Sequence, residues 1–222
     1  MKMKEVRKII EDICSLSIWR WRAVLYFRKC GEKTWMMRPL RILGAKNVYV
    51  GRNVTILPNL RLEIIGAEGA KAKPVIRIGD GVNIEQNVHL TAAEHVYIGD
   101  NVSICGDAVI TDIVHPYEDI RVAPEKQSIK IKAVNIGDNS FIGMHAMIMP
   151  GVTVGKHCVV GANSVVTHDV ADYTVVAGTP AQVIKKFSFE KKKWIDVRGG
   201  VENKICVKIS HFNMRCGAAA CF

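Results

Sequence analysis

Residues 136–171 read IGDNSFIGMHAMIMPGVTVGKHCVVGANSVVTHDVA, and an aliphatic residue recurs at every sixth position of this stretch. Two positions before each next aliphatic residue stands a second small or apolar residue, and residues two apart in a strand face the same side. Gly, Asp, Asn, His and Lys lie between them and tolerate tight corners. The pattern predicts short strands joined by corners, because a six-residue period is typical of a parallel β-helix. The aliphatic positions are Ile136, Ile142, Ile148, Val154, Val160 and Val166.

The same spacing extends towards the N-terminus and brings the number of aliphatic positions to fifteen, all of them Val, Ile or Leu. Three hexads make one triangular coil, so about five stacked coils are predicted, at roughly 4.8 Å per coil. The predicted fold class is an all-β solenoid, a parallel β-helix over residues 48–184. The additional positions are Val50, Ile56, Leu62, Ile78, Ile84, Leu90, Ile98, Ile104 and Ile110.

Two long insertions interrupt the repeat, in addition to a small bulge of two residues between Leu90 and Ile98. The first, GAEGAKAKP at residues 66–74, has the composition of a flexible surface segment. The second is an excursion loop over residues 112–135 that separates Ile110 from Ile136. Because a regular solenoid gains nothing by ejecting so many residues, and loops on rigid scaffolds commonly carry function, this loop is the predicted place of the chemistry.

The net charge of +10 belongs to the two ends of the chain. Residues 1–31 contribute +5 and residues 185–222 contribute +6, which leaves −1 for the middle. This distribution argues against a repeat face built to bind nucleic acid. The seven cysteines form no CxxC pair, and the apolar run after Ile13 is interrupted by Arg20 and Arg22. We therefore expect a cytoplasmic protein with neither a signal peptide nor a spanning helix.

Both ends of the chain are predicted to differ from the repeat. Residues 1–47 are expected to form an N-terminal helical cap, with helical apolar spacing over residues 3–28. The helix either shields the first coil or lies on the inner face of an anionic membrane, since it is basic and carries two tryptophans. Residues 185–222 are expected to form a basic C-terminal tail, with a short helix at FEKKKW.

The run from residue 136 to residue 170, followed by VVAGTPAQVIKK, resembles the hexapeptide-repeat acyltransferases. The likeness covers residues 48–187 and is greatest to galactoside and maltose O-acetyltransferases and to bacterial surface-polysaccharide O-acetyltransferases. The resemblance implies a left-handed β-helix, acetyl-CoA as acetyl donor, and a homotrimer with active sites between neighbouring subunits. Handedness comes from the resemblance alone, because ordinary parallel crossovers are right-handed.

Acetyl transfer to a hydroxyl needs a base, and the resemblance assigns this role to His115 in TDIVHPYED. Glu118 or Asp119 is a candidate to orient its imidazole, although either also fits a surface acid. The resemblance further implies that Asn87 lines the acceptor pocket across the trimer interface and that Glu94 contacts the acceptor. By its sequence alone Asn87 is a corner residue.

The resemblance also places the coenzyme along the C-terminal coils. Its implied contacts include small residues that let the pantetheine arm approach, a backbone N–H that stabilises the oxyanion, and lysines for the nucleotide phosphates. Small residues are also what corners need, and the two roles can coexist. The implied coenzyme contacts are Gly143, Met144, Ala162, Thr167, His168, Lys185 and Lys186.

Three functions remain open at this point. The first is an acetyl-CoA-dependent O-acetyltransferase acting on a free or lipid-linked sugar, in O-antigen or capsule synthesis. The second is an N-acetyltransferase for an amino sugar, and the third is a trimeric scaffold without activity. A zinc site of γ-carbonic-anhydrase type through His89, His95 and His115 is the weaker alternative, because the second loop histidine of that family is absent, so no metal is expected. A cysteine nucleophile is not expected either, since Cys105 and Cys158 fall in the repeat.

Overall fold

Three β-sheets run side by side through the described part of the chain, residues 27–66 and 75–197 of a computed structural model. The chain visits the sheets in rotation, and we call each set of three consecutive repeat strands a coil. The first four coils contain β1 (Lys29–Cys30), β2 (Trp35–Met36), β3 (Arg41–Leu43), β4 (Val48–Val50), β5 (Thr55–Ile56), β6 (Arg61–Ile64), β7 (Val75–Ile78), β8 (Asn83–Ile84), β9 (His89–Ala92), β10 (His95–Ile98), β11 (Ser103–Ile104) and β12 (Val109–Thr111). The excursion contributes β13 (Ile113–Val114) and β14 (Lys130–Ile131). The remaining strands are β15 (Val134–Ile136), β16 (Phe141–Ile142), β17 (Met147–Ile148), β18 (Thr153–Val154), β19 (Val159–Val160), β20 (Val165–Val166), β21 (Thr174–Gly178), β22 (Ala181–Ser188) and β23 (Lys193–Asp196).

The stacking of the strands defines the sheets. Sheet A contains β1, β4, β7, β10, β15 and β18; sheet C contains β3, β6, β9, β12, β17 and β20. Sheet B contains β2, β5, β8, β11, β16, β19 and β21, all parallel, and ends in the antiparallel strands β22 and β23. Two 3-10 turns, Ala45–Asn47 and Pro124–Lys126, are the only helical elements in residues 27–66 and 75–197. Mostly parallel sheets visited in rotation are consistent with the predicted parallel β-helix.

The predicted inward positions are confirmed. All fifteen aliphatic residues of the hexad frame are at most 4% exposed, and the second set, from Ser140 to Val170, is at most 5% exposed. The polar members of that set are satisfied inside, since the Ser140 hydroxyl donates to the Gly155 carbonyl at 2.8 Å. Asn139 (φ 60°) and Asn163 (φ 55°) turn the chain at corners in the left-handed conformation that asparagine tolerates.

The repeat begins earlier than the predicted boundary at residue 48. Lys29 and Cys30 pair in parallel with Tyr49 and Val50, so residues 29–43 form a first coil instead of part of a helical cap. Its inward residues Cys30, Met36 and Ile42 keep the six-residue spacing. Because two of these inward positions carry cysteine and methionine, a pattern that requires Val, Ile or Leu does not include this coil. Six coils result, and the rest of the predicted N-terminal helix lies outside the described residues.

The C-terminal segment also differs from its prediction. The FEKKKW segment forms no short helix; it lies in the turn and second strand of the antiparallel hairpin β22–β23, and the predicted domain boundary at residue 185 falls inside β22. Phe187 packs edge-on against Trp194, with ring centroids 5.5 Å apart, and lies 6.4 Å from Tyr173. This aromatic packing overrides the weak helical propensity of the sequence. Residues 198–222 lie outside the described part.

A buried carboxylate supports the root of the excursion loop. Asp112 is fully buried and accepts hydrogen bonds from the backbone N–H groups of Ala93, Glu94 and His95 at 2.7, 2.7 and 2.8 Å. The loop then leaves as the antiparallel pair β13–β14.

The described residues include no helix that is long and apolar enough to cross a membrane.

Candidate active site

Four predicted site residues lie on one edge of the fold, where the chain turns from sheet B to sheet C. Asn87 lies between β8 and β9, Gly143 and Met144 between β16 and β17, and Ala162 between β19 and β20. We call this line of corners the B–C edge. The structure therefore brings one predicted acceptor residue and three predicted coenzyme residues into a row along the axis of the fold.

The corner at Gly143 needs a glycine because the next coil approaches closely. A Cβ atom at Gly143 would lie 2.6 Å from the backbone nitrogen of Ala162. The N–H of Gly143 donates to the carbonyl of Val160 at 2.9 Å, so it is already used within the fold. The N–H of Met144 has no acceptor among the described residues, and the Met144 side chain is 45% exposed. Of the two, Met144 is thus the residue that can offer an oxyanion donor.

Asn87 is a corner residue, as its sequence alone indicates. Its φ is 59°, and its side chain belongs to a ladder of amides and carboxylates in successive coils. Asn87 Oδ1 accepts from Asn59 Nδ2 at 3.0 Å, and Asn87 Nδ2 donates to Asp107 Oδ1 at 3.1 Å. One N–H of the amide remains for a ligand.

A second group of predicted residues lies on the opposite side of sheet C, where the chain turns from sheet C to sheet A. Glu94 lies between β9 and β10, and Thr167 and His168 follow β20. The Thr167 hydroxyl lies 2.9 Å from His168 Nδ1. The excursion loop that carries His115 leaves from this C–A edge, beside Glu94. No sequence pattern singled out Asp112, whose carboxylate accepts from the backbone N–H groups of Ala93, Glu94 and His95 and so joins the two segments.

His115 is exposed and makes no hydrogen bond with any other described residue. The suggestion that Glu118 or Asp119 orients its imidazole is wrong for this structure. Glu118 pairs with Lys130, while Asp119 pairs with Arg121, with 2.9 Å between Asp119 Oδ1 and Arg121 Nε. These partners hold the pKa values of both carboxyl groups below their usual range. The imidazole of His115 is therefore open to an incoming ligand.

The two edges do not meet within one chain. The strand residues of sheet C between Asn87 and Ala93 separate them by roughly 15 Å, at about 3.3 Å per residue. Lys185 and Lys186 lie on neither edge; they are exposed in β22, opposite Val175 and Thr174. Several residues of β22 separate them from the turn at Gly178, whose N–H donates to Ser164 next to the B–C edge.

The histidines weighed as zinc ligands do not come together. His89 lies in β9 of sheet C and His95 in β10 of sheet A, where it stacks on Tyr97 with 6.3 Å between ring centroids. Within residues 27–66 and 75–197 no three His, Cys, Asp or Glu residues are grouped as metal ligands would be.

Burial raises the pKa of the Cys105 and Cys158 thiols, which disfavours the reactive thiolate.

A family model described as bacterial transferase hexapeptide (six repeats) matches residues 133–168. The chain is 33% identical over 163 residues to a protein of Escherichia coli (strain K12) named as a lipopolysaccharide biosynthesis O-acetyl transferase, WbbJ, covering 70% of this chain and 80% of that protein. The chain therefore belongs to the hexapeptide-repeat transferase family, and its class of enzyme is acyltransferase. It is also 32% identical over 168 residues to the galactoside O-acetyltransferase of Escherichia coli (strain K12), covering 76% of this chain and 68% of that protein.

Solved structures show the same architecture. The maltose O-acetyltransferase of Clostridium difficile 630 is 28% identical, with a TM-score of 0.55 over 64% of this chain and 72% of that chain. The N-acyltransferase AntD of Bacillus cereus, solved with dTDP and coenzyme A, has a TM-score of 0.63 over 86% of this chain and 92% of that chain. Its 19% identity supports the shared fold alone.

Proposed function

We propose that the protein is an acetyl-CoA-dependent O-acetyltransferase that acts on a sugar hydroxyl in surface-polysaccharide synthesis, with His115 as general base. The observation that carries the proposal is an exposed, unpartnered His115 on the one long excursion of a repeat whose relatives are O-acetyltransferases. The acceptor is a free or lipid-linked sugar.

In the proposed reaction, the acceptor oxygen attacks the thioester carbonyl carbon while the imidazole of His115 takes the hydroxyl proton. The C–S bond then breaks, coenzyme A leaves as a thiolate, and the proton held by His115 is returned to it. The unused N–H of Met144 is placed on the edge where the coenzyme is proposed to bind, and there it would stabilise the oxyanion of the tetrahedral intermediate.

The acceptor and coenzyme sites are proposed to lie between subunits of a homotrimer of left-handed β-helices. The separation of the B–C edge from the C–A edge supports this arrangement, because Asn87 and the root of the His115 loop are on opposite sides of sheet C. A neighbouring subunit can bring the B–C edge of one chain to the C–A edge of another. Glu94 is then an acceptor contact from the same chain as His115.

Acetyl-CoA is proposed to lie along the last coils. Gly143 and Ala162 of one subunit are proposed to place little side-chain bulk beside the pantetheine arm, while Thr167 and His168 of the neighbouring subunit supply polar contacts from its C–A edge. Lys185 and Lys186 are exposed cations at the C-terminal end of sheet B and are proposed to meet the nucleotide phosphates. When bound, the coenzyme supplies the activated acetyl group.

The test of the enzyme proposal is the acceptor-dependent release of coenzyme A thiol with a panel of sugars and lipid-linked sugars. His115→Ala should lower kcat/KM by about 10²- to 10⁴-fold, as expected for loss of a general base. His157→Ala, a histidine that stacks on Tyr173 on the far side of the fold, is the matched control and should retain activity. An undiminished rate in His115→Ala would refute the assigned base.

The same panel decides between the alternatives. Stable transfer to amino sugars alone would favour the N-acetyltransferase, and transfer to sugars without an amino group would favour the O-acetyltransferase.

We further propose a cytoplasmic location with peripheral membrane contact through the basic ends. In the described part, the β22–β23 hairpin supports this, since Phe189 is 65% exposed beside Lys191, Lys192 and Lys193. Sedimentation with anionic and neutral vesicles tests the contact: equal, negligible binding to both would contradict it.

A further inference from the structure

One column of side chains on the outer face of sheet C changes character along the axis of the fold. In the fourth, fifth and sixth coils the column is apolar and half-buried, whereas in the first two coils it consists of arginines. An apolar column suits contact with protein, and an arginine column suits contact with an anion. The column contains the stacked strand partners Arg41, Arg61, His89, Val109, Met147 and Val165.

A carboxylate draws the two arginines of this column together. Glu63 is only 4% exposed, and it lies beside both guanidinium groups. Arg41 Nε lies 3.0 Å from Glu63 Oε1, and Arg61 Nη2 lies 2.8 Å from Glu63 Oε2. The arginine side chains themselves remain 60% and 46% exposed. We call Arg41, Arg61 and Glu63 the arginine cluster, in which one buried anion holds two accessible cations in place.

The arginine cluster carries one positive charge in excess. Burial alone would raise the pKa of Glu63, but the hydrogen bond from Arg61 and the charges of Arg61 and Arg41 hold it below its usual value, so the carboxylate is ionised at neutral pH. Burial and then the charge of Arg61 lower the pKa of His89, whose imidazole therefore favours the neutral form. Glu63 is the only acidic residue in the six strands of sheet C, so no other strand residue of this sheet balances the charge.

The proposed trimer determines what the outer face of sheet C meets. If the B–C edge of each subunit joins the C–A edge of the next, the three C sheets become the walls of a central triangular channel. Each wall is roughly 15 Å wide, so by the geometry of a triangle its middle lies only roughly 4–6 Å from the axis. Val109, Met147 and Val165 are then packed against their own copies, as an apolar column requires.

The same symmetry collects charge in the first two coils. Three arginine clusters, each with an excess of one, place a charge of +3 around the axis. Like charges that share a narrow, partly dehydrated space repel one another unless a counter-ion lies between them. Each guanidinium has five N–H donors, of which the carboxylate of Glu63 occupies at most two. The remaining donors of Arg41 and Arg61 are available in the channel.

We infer that the arginine clusters of three subunits together bind one multivalent oxyanion of the size of phosphate on the axis of the trimer. The anion accepts hydrogen bonds from Arg41 and Arg61 of each subunit, and Glu63 is a positioning residue for both. This site is complete only when three chains meet, so the anion stabilises the assembly on which the divided active site depends. The inference rests on the trimer of the proposed function.

The test combines light scattering with calorimetric titration of the whole chain by inorganic phosphate, in chloride buffer of matched ionic strength. The wild-type trimer should bind one phosphate for every three chains at this site. Phosphate should also shift dissociation of the trimer on dilution to lower protein concentration, because the ligand binds only the assembled state.

Arg41→Gln is the decisive variant. It removes the excess charge but keeps the pair between Arg61 and the buried Glu63, so the fold retains its closest contact in the cluster. Phosphate binding should weaken by about a hundredfold or more, since three charge-assisted contacts are lost at once. Dilution should then dissociate the variant equally with and without phosphate. Arg52→Gln is the matched control, because Arg52 is an exposed arginine that pairs with Asp80 outside sheet C, and it should behave as the wild type.

The stoichiometry separates this site from the proposed coenzyme site. Phosphate bound at Lys185 and Lys186 would amount to one for each chain and would persist in Arg41→Gln. The inference is overturned if a verified trimer binds no phosphate that Arg41→Gln loses, if that phosphate amounts to one for each chain, or if Arg52→Gln loses it equally. Those results would leave the trimer and the proposed function in place, whereas a monomer in light scattering would refute the trimer and the inference together.

Discussion

His115 and Asp112 lie three positions apart at the start of the same loop, yet their surroundings are opposite. The imidazole of His115 is exposed and free to meet a ligand, whereas the carboxylate of Asp112 is buried and saturated with backbone donors. At the scale of single residues, the loop therefore places an exposed imidazole three positions after the buried carboxylate that anchors the loop root. The anchor must be an acceptor-only group, because three N–H donors point at it.

Asp112→Asn should lower the free energy of unfolding by about 2–4 kcal/mol, because the substitution replaces one acceptor oxygen with an NH₂ group. That NH₂ group then faces backbone N–H donors, which lose their acceptor. Urea denaturation measures this change. Asp119→Asn, an exposed carboxylate paired with Arg121, is the control and should change the stability by less than about 1 kcal/mol. Equal effects of the two substitutions would show that Asp112 is no anchor.

Acid should destabilise the protein partly through His89 and Glu63. Because both pKa values are lower in the folded chain than in the unfolded one, the unfolded chain binds more protons as the pH falls. The contribution of His89 is therefore present above about pH 6.5 and is lost below it, and that of Glu63 is lost below about pH 4.3.

His89→Gln should flatten the fall of the urea midpoint between about pH 7 and pH 5. The measurement is a series of urea titrations across this range with both proteins. The same slope in the wild type and the variant would contradict the assignment.

At the scale of elements, the corners decide how closely the coils can stack. At Gly143 on the B–C edge, the backbone of the next coil approaches so closely that it leaves no room for a Cβ atom. The aliphatic strands on either side tolerate volume-conserving changes, but a corner in backbone contact does not. The edge that is proposed to hold the coenzyme is thus also a place where the fold is sensitive to side-chain size.

Gly143→Ala should lower the free energy of unfolding by about 1–3 kcal/mol, since the two coils must move apart. Thermal unfolding followed by circular dichroism measures the change. Gly66→Ala provides the control, because a Cβ atom there would meet nothing within 4 Å. Full stability of Gly143→Ala would show that the two coils separate without strain.

At the scale of the whole molecule, one chain carries the two groups of proposed site residues on opposite sides of sheet C. If the proposed trimer forms, each active site combines the B–C edge of one subunit with the loop of its neighbour. The symmetry of a closed ring then gives every subunit one complete site.

Co-expression of His115→Ala with Asn87→Ala should restore activity that neither variant has alone. Random assembly should restore about a quarter of the sites, because a site is intact only when both contributing subunits are intact at that position. Light scattering should give three times the mass of one chain. No recovery in verified mixed trimers would place both residues in the same subunit's site.

Much of the fold could be predicted from the sequence because the aliphatic residues within each hexad identify the positions that face inward. The first coil, at Cys30 and Met36, was not predicted, since its inward positions do not all carry Val, Ile or Leu. The hairpin at Trp194 escaped because it depends on packing against Phe187 and Tyr173, which local propensity does not describe. Glu63 and its partner Arg41 come from different coils and become neighbours only through strand register.

The sequence alone determined the repeat, its inward residues, the family resemblance and the interruption that carries His115, because each of these is a local pattern of spacing and residue type. Only the tertiary structure decided where those residues stand relative to one another. It divided the predicted site between two edges, paired Glu118 and Asp119 away from His115, and buried Asp112 and Glu63 among their partners. The physical reason is that stacking and register join residues from different coils, and no single hexad contains that information.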